Sequence, residues 1–300
     1  MKRHTTGIIN GIIASTSYGA NPLFALPLLH NGIGVNSILF YRYALAVLIY
    51  GMWITLKKKI TLKISAKEFV VLLIMGLLFS FSSLTLYEAF KYIEAGIACT
   101  ILFIYPMLVA IIMNIFYKEK ITGTIIYAII LTFSGIILLY NGKHDATLNP
   151  HGVIMVLLSA LLYAVYIVGV KNLKTIKHIK PDKLNFYVML FGLLVYLFNL
   201  KFCTELQIIQ SPILWICAIG LAIIPTIISI ETINIAIKLI GSTKTAILGA
   251  LEPLTALFFG ILFFNEQLTL KICVGIAAIL LGVMIVITRK NSSRSTTLKN

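Results

Sequence analysis

The sequence predicts an all-α polytopic membrane protein of ten transmembrane helices, arranged as two inverted five-helix repeats with the N- and C-termini in the cytoplasm. Three observations predict it. Of 300 residues, 59% are hydrophobic and only 12% charged, and mean hydropathy is +0.99, whereas soluble domains carry roughly 45–50% apolar and about 25% charged residues. A globule of 33.2 kDa cannot hide that surplus, because it must still cover itself with polar surface. Ten apolar stretches follow one another along the chain, and the second five repeat motifs of the first five.

The first five stretches lie near Thr6–Leu29, Val35–Leu56, Glu68–Phe90, Ala95–Tyr117 and Ile121–Tyr140. The second five lie near His151–Val170, Lys183–Phe202, Ile213–Ile237, Thr243–Phe264 and Leu270–Thr288. Each approaches the roughly 20 residues that cross a hydrocarbon core as a helix, and none shows the alternation of a barrel strand. Lys2 and Arg3 before the first stretch resemble a signal peptide, but Asn10, Ser15, Ser17, Asn21 and Pro22 make it a retained span, with Pro22 as its kink. The second span carries Arg42, and the third carries Ser80, Ser83 and Tyr87. Pro106 interrupts the fourth, and Thr122 stands as N-cap of the fifth. The sixth repeats the first through Tyr163, and the seventh is a plain apolar run. Pro225, Thr226, Ser229 and Glu231 enrich the eighth, Glu252 and Pro253 mark the ninth, and Thr269 caps the tenth.

Charge orients the bundle. The formal net charge is +15. With the N-terminus inside, cytoplasmic segments hold twenty Lys and Arg residues, and outer segments hold only Lys91, Lys143, Lys201 and Lys271. That asymmetry is the positive-inside pattern. It also excludes nucleic acid as a partner, since the basic residues are scattered over six short segments instead of forming one patch. Cys99, Cys203, Cys217 and Cys273 lie far apart with no CxxC spacing, so no disulfide framework or metal site is expected. Trp53, Trp215, Tyr117 and Tyr140 read as interface anchors.

The repeat is visible by self-comparison. At an offset of 147, Pro106 falls on Pro253, Glu119 on Glu266, Thr122 on Thr269 and Gly135 on Gly282, so both halves read P-x12-E-x2-T-x12-G. Ala89, Lys91 and Ile93 match Ala236, Lys238 and Ile240, while Gly7 and Tyr18 match Gly152 and Tyr163 at an offset of 145. Five spans per half is an odd number, so the second half enters the membrane from the opposite side. Related halves of opposite orientation are a secondary-transporter design, with solute held near the midplane. The repeats occupy 1–141 and 142–290, followed by a polar cytoplasmic tail at 291–300.

The stretches Lys91–Thr122 and Lys238–Thr269, each with a proline inside a span followed by E-x-x-T, resemble the EamA-type repeat of the drug/metabolite transporter superfamily. The resemblance covers nearly the whole chain. It implies a multi-pass carrier of the cell (inner) membrane without cofactors, an exporter or exchanger of amino acids or related small metabolites.

Polar groups within the hydrocarbon usually face a pathway or one another. Arg42 lies roughly 10 Å below the outer surface and Glu252 roughly 13 Å above the inner one, at 1.5 Å per residue. Three readings stand together: Arg42 holds a substrate carboxylate while Glu252 meets an amino group or carries a proton; the two form a permanent ion pair; or Arg42 snorkels up to the interface. Thr245, Leu248, Glu252, Thr255 and Phe259 share one helical face, beside a small-residue stripe of Gly249, Pro253, Ala256 and Gly260 suited to close packing. Tyr105 is the repeat mate of Glu252, and Tyr18 that of Tyr163. The candidate substrate-binding set is therefore Arg42, Glu252, Tyr105, Tyr18, Asn21, Tyr87, Tyr163 and Ser229, with Glu252 and Glu231 as proton-coupling candidates. Interhelical hydrogen bonding is the competing role for the hydroxyl and amide members, and pairing with Lys238 for Glu231. Glu88, near the outer interface, is expected to be structural. Glu119 and Glu266 fall at helix ends, where they fix loops.

These features point to a secondary-active or facilitative transporter working by alternating access, with a small-molecule solute and the lipid bilayer as partners, proton coupling as an option, and a monomeric or homodimeric state. No G-x-x-x-x-G-K-[ST] is present for ATP. A membrane-embedded enzyme is disfavoured by the absence of H-E-x-x-H and G-x-S-x-G. A channel-like facilitator would call for rings of charge or carbonyl motifs.

Overall fold

The structure is a computed structural model that describes residues 2–59, 61–117, 123–140, 149–249, 251–265 and 269–289. Among the described residues there are only helices. The first half supplies α1 (Lys2–Gly19), α2 (Asn21–His30), α3 (Val35–Met52), α4 (Ala66–Ala89), α5 (Ala95–Leu102), α6 (Tyr105–Tyr117) and α7 (Gly123–Tyr140). The second supplies α8 (Pro150–Asn172), α9 (Lys174–Lys177), α10 (Pro181–Asn199), α11 (Pro212–Ala222), α12 (Ser229–Leu248), α13 (Leu251–Phe264) and α14 (Leu270–Arg289). Two π-helical turns, Trp53–Lys57 and Ile223–Ile228, extend α3 and join α11 to α12.

Seven helical stretches among the described residues are long and apolar enough to cross a membrane: His4–His30, Val35–Lys57, Ala66–Ala89, Ala95–Tyr117, Pro150–Val170, Pro181–Asn199 and Pro212–Ile233. Leu251–Phe264 and Leu270–Gly282 are shorter apolar helices. Large apolar side chains such as Leu48, Phe116, Ile213, Ile216 and Phe258 point outward. A surface of that kind is stable against lipid and not against water. The chain is a multi-pass membrane protein.

Proline chemistry explains where the helices break. Pro253 has no N–H to give Gly249, four residues back; the Glu252 N–H bonds the Gly249 carbonyl instead at 2.9 Å. The helix tightens and restarts as α13. The first half does the same at the repeat-related position, where Phe103 and Ile104 separate α5 from α6 ahead of Pro106. Both prolines thus lie just inside the start of a new helix and do not kink the middle of an old one. Pro22 behaves alike, entering α2 after a break at Ala20. The break expected between the eighth and ninth spans is displaced: α12 runs unbroken through the stretch between Ile237 and Thr243 and ends at Leu248. With no proline there, nothing interrupts its hydrogen-bond ladder. Thr245 and Leu248 therefore belong to α12, on a different helix from Glu252.

Helix contacts recur in exchanged pairs. α1 packs on α12 as α8 packs on α4, while α3 meets α10, α5 meets α13 and α7 meets α14. Single residues repeat the pattern. Gly7 of α1 lies against Leu239 and Ile240, and its mate Gly152 lies against Tyr92 and Ile93, which are the mates of those two. The Ser229 hydroxyl donates to the Ala14 carbonyl at 3.0 Å, and its mate Ser82 donates to the Ser159 carbonyl at the same distance. At one end of the bundle, Gln207 accepts from the Gly34 N–H and gives its own N–H to Ser37. At the other, Lys183 and Tyr187 donate to the carbonyls of Lys63 and Leu62. The segment after α3 and the segment after α10 therefore lie at opposite ends.

Candidate functional site

Arg42 sits on α3, only 2% exposed. Its Nε donates to Thr226 Oγ1 at 2.9 Å and its Nη1 to the Tyr87 hydroxyl at 3.0 Å. The Tyr87 hydroxyl passes the chain on, donating to Asn21 Oδ1 at 2.8 Å. Thr226 is available because of Pro225. That proline cannot donate to the Leu221 carbonyl, and the Thr226 hydroxyl takes the vacancy at 3.0 Å while its oxygen receives Arg42. Arg42, Tyr87 and Asn21 come from the first half and Thr226 from the π turn of the second.

Glu252 opens α13 against α1. An added Cβ on Gly19 would stand 2.4 Å from the Glu252 carbonyl oxygen and 2.7 Å from Thr255 Cβ, so only glycine permits this crossing. Among the described residues no ion pair joins Glu252 to Arg42, and no hydrogen bond engages its carboxylate. The permanent Arg42–Glu252 pair weighed from sequence is not formed. Arg42 finds hydroxyls instead, because Thr226 and Tyr87 reach it first. The guanidinium lies 5.7 Å from the Tyr87 ring centre and 5.9 Å from that of Tyr43.

Tyrosines surround both charges. Tyr18 lies within electrostatic reach of Arg42 and Glu252. Tyr105 meets Tyr163 edge to face at 4.8 Å, and Tyr163 stacks on Tyr166 at 6.0 Å. Both Tyr105 and Tyr163 also lie within reach of Glu252 and Tyr18. Seven of the eight residues expected to bind solute therefore fall into two adjoining groups, Arg42–Tyr87–Asn21 and Glu252–Tyr18–Tyr105–Tyr163. The Ser229 hydroxyl joins neither group, since it donates to the Ala14 carbonyl.

Glu231 belongs to a separate cluster at the end of the bundle where Lys63 meets Lys183. The Lys58 ammonium donates to Asp182 Oδ1 at 2.8 Å and to Glu231 Oε1 at 2.5 Å, while the Tyr50 hydroxyl donates to Glu231 Oε2 at 3.0 Å. Lys58 also lies 4.0 Å over the Trp53 ring, so that tryptophan serves the cluster as well as an interface. Desolvation lowers the affinity of Lys58 for its proton, but the hydrogen bonds and charges of Asp182 and Glu231 outweigh it and hold its pKa above the ordinary lysine value. Sequence reasoning missed Lys58, Tyr50 and Asp182. One signal was available: Asp182 is the lone acid in a segment holding Lys171, Lys174, Lys177, Lys180 and Lys183.

Glu88 pairs with Lys91 at 2.7 Å, in the structural role expected of it. Thr269 Oγ1 accepts from the Ile272 N–H at 3.3 Å and so caps α14. Glu119, Thr122, Glu266 and the tail 291–300 lie outside the described residues, as do the side chains of Lys238, Thr245 and Tyr140.

Comparison with known proteins bears on this arrangement. The profile of the EamA-like transporter family matches residues 5–141 and again 150–288. The chain is 24% identical over 301 residues to the uncharacterized transporter YxxF of Bacillus subtilis (strain 168), covering 99% of this chain and 94% of that protein. It is 29% identical over 214 residues to an uncharacterized transporter of Archaeoglobus fulgidus, covering 71% and 75%. A solved crystal structure described only as that of a protein superposes with a TM-score of 0.68 over 96% of this chain and 99% of the other, at 14% identity, a likeness of fold alone. Two copies of one repeat, matched along nearly the whole length, make this chain a membrane transporter of the EamA-like transporter family.

Proposed function

We propose that the protein is a secondary-active or facilitative carrier of the inner membrane that exports or exchanges an amino acid or related small metabolite by alternating access. In this reading ten spans form two inverted halves with both termini in the cytoplasm, and the solute is held between them. The observation that carries it is the pair of opposite charges inside the bundle, Arg42 and Glu252, each without a charged partner among the described residues. Isolated charge at membrane depth is expensive, and it persists where it serves a pathway. The exchanged helix contacts, and the opposite placement of the segments after α3 and α10, support halves related by a two-fold axis.

Two assemblies that can trade conformations open one side as they close the other. The Lys58–Asp182–Glu231 cluster ties the first half to the second at the end that positive charge assigns to the cytoplasm, and in this reading it is the closure that must part for that end to open. Glu231 is committed to that closure, which leaves Glu252 to carry a coupled proton. Arg42, Asn21, Tyr87, Tyr18, Tyr105 and Tyr163 line the path, and Ser229 locks α12 to α1.

The test is counterflow in proteoliposomes with simultaneous proton recording. Flux that saturates and is stimulated by solute on the far side is the carrier result; flux without either property would mark a channel and refute it. Glu252→Gln abolishes proton movement while binding survives. Unchanged proton coupling removes Glu252 from that role.

A further inference from the structure

We infer that Arg42 and Asn21 form a receptor for a carboxylate group, and that the solute supplies the counter-ion that Arg42 lacks among the described residues. This rests on the carrier reading and names the chemistry of its ligand. Arg42 uses Nε and Nη1 on Thr226 and Tyr87, and among the described residues no acceptor engages Nη2. Asn21 accepts from Tyr87 through Oδ1, yet its Nδ2 is buried with no partner, in a residue 2% exposed. Two donor nitrogens thus remain open on groups joined by one phenol. A buried donor such as the Asn21 amide is rarely left so, and a buried guanidinium is ordinarily matched by an anion.

The groups around the cation are phenols. Tyr87, Tyr43, Tyr18 and Tyr196 lie within its electrostatic reach, and among the described residues no carboxylate lies within ion-pair distance. A carboxylate matches these two donors better than a hydroxyl or a carbonyl would. It brings one negative charge, and its two oxygens can take one N–H from the guanidinium and one from the amide. The same guanidinium holds Thr226 in the π turn between α11 and α12. An anion drawing on Arg42 therefore acts on the Arg42–Thr226 contact that links the first half to the second.

The test is equilibrium binding to the full chain in lipid nanodiscs. The probes are butyrate and phenylpropionate, their amides, the amines propylamine and phenylethylamine, and the corresponding amino acids. The wild type should bind at least one carboxylate probe and bind its isosteric amide at least tenfold more weakly. Arg42→Gln should cost carboxylate binding tenfold or more, with no matching loss of amine binding. Asn21→Asp, which places an internal carboxylate beside Tyr87 and Arg42, should block the same probes while keeping the charge of Arg42. If no carboxylate probe binds, if acid and amide bind alike, or if both variants bind carboxylates as the wild type does, the receptor is overturned. Failure here leaves the carrier standing when amines or neutral solutes still show counterflow. Carboxylate binding without any stimulated exchange keeps the receptor and removes the carrier.

Discussion

Gly19→Ala tests the crossing that brings Glu252 into the bundle. The new methyl would stand 2.4 Å from the Glu252 carbonyl oxygen and 2.7 Å from Thr255 Cβ. Non-bonded carbons settle at roughly 3.5–4.0 Å, so α1 would have to withdraw from α13 by about 1 Å. The obstructing oxygen is backbone and cannot rotate away. Overpacking of this kind typically costs about 1–3 kcal/mol, and the better helix propensity of alanine returns at most about 1 kcal/mol. A net loss of about 1–2 kcal/mol follows. Two other glycines calibrate it. At Gly11 the nearest atom is Leu248 Cδ1 at 2.5 Å, the far end of a flexible side chain, and at Gly123 nothing lies within 4 Å. Unfolding in detergent should therefore rank stability as Gly123→Ala above Gly11→Ala above Gly19→Ala. If Gly19→Ala were as stable as Gly123→Ala, the close approach of α1 to the Glu252 carbonyl would be wrong.

Ser82 and Ser159 each donate to the other's carbonyl, at 3.0 Å and 2.7 Å. Alanine at either position keeps its backbone carbonyl, so each single change should remove one bond at a cost of about 0.6–1.7 kcal/mol, the range for hydrogen bonds between membrane helices, and the two losses should add. A double variant no less stable than either single one would show that the two bonds are not independent. At the ion cluster, Lys58→Gln should destabilise by about 1 kcal/mol, screening being allowed for because the partners are partly exposed, and high salt should narrow the gap. The folded-state pKa of Lys58 is raised, so its contribution is complete below the unfolded value near 10.5 and is lost only as pH climbs through the higher folded one. The difference between wild type and Lys58→Gln should therefore be flat from about pH 7 to 9 and shrink only in stronger alkali. Loss of the difference inside that window would contradict the ion pairing.

Much of this protein was legible before any coordinate. Hydropathy alone requires lipid, because no fold of 300 residues can bury a composition with 59% apolar side chains. The repeat of Pro106, Gly135 and Tyr18 in Pro253, Gly282 and Tyr163 required two related halves, since motif spacing survives in a linear chain whatever surrounds it. The intramembrane polar residues are marked by their rarity alone, and the structure places seven of the eight in two adjoining groups, which is a statement of position and not of role. Local chemistry also set the helix starts at Pro22, Pro106 and Pro253, although a missing N–H shows where a ladder fails and not whether the outcome is a kink or a new helix.

Only the tertiary structure decided who touches whom. By sequence alone Arg42 and Glu252 suit pairing and separation equally well, because charge and depth say nothing about rotation around a helix axis. Packing gave Arg42 to Thr226 and Tyr87 and left Glu252 beside Gly19. Lys58, Asp182 and Glu231 are separated by well over a hundred positions and by more than forty, and no periodicity connects residues at such distances. Their union, and the swapped bonds of Ser82 and Ser229, exist because two copies of one sequence fold against each other in exchange. A sequence lists the groups available; the contacts among them are set by where the folded halves meet.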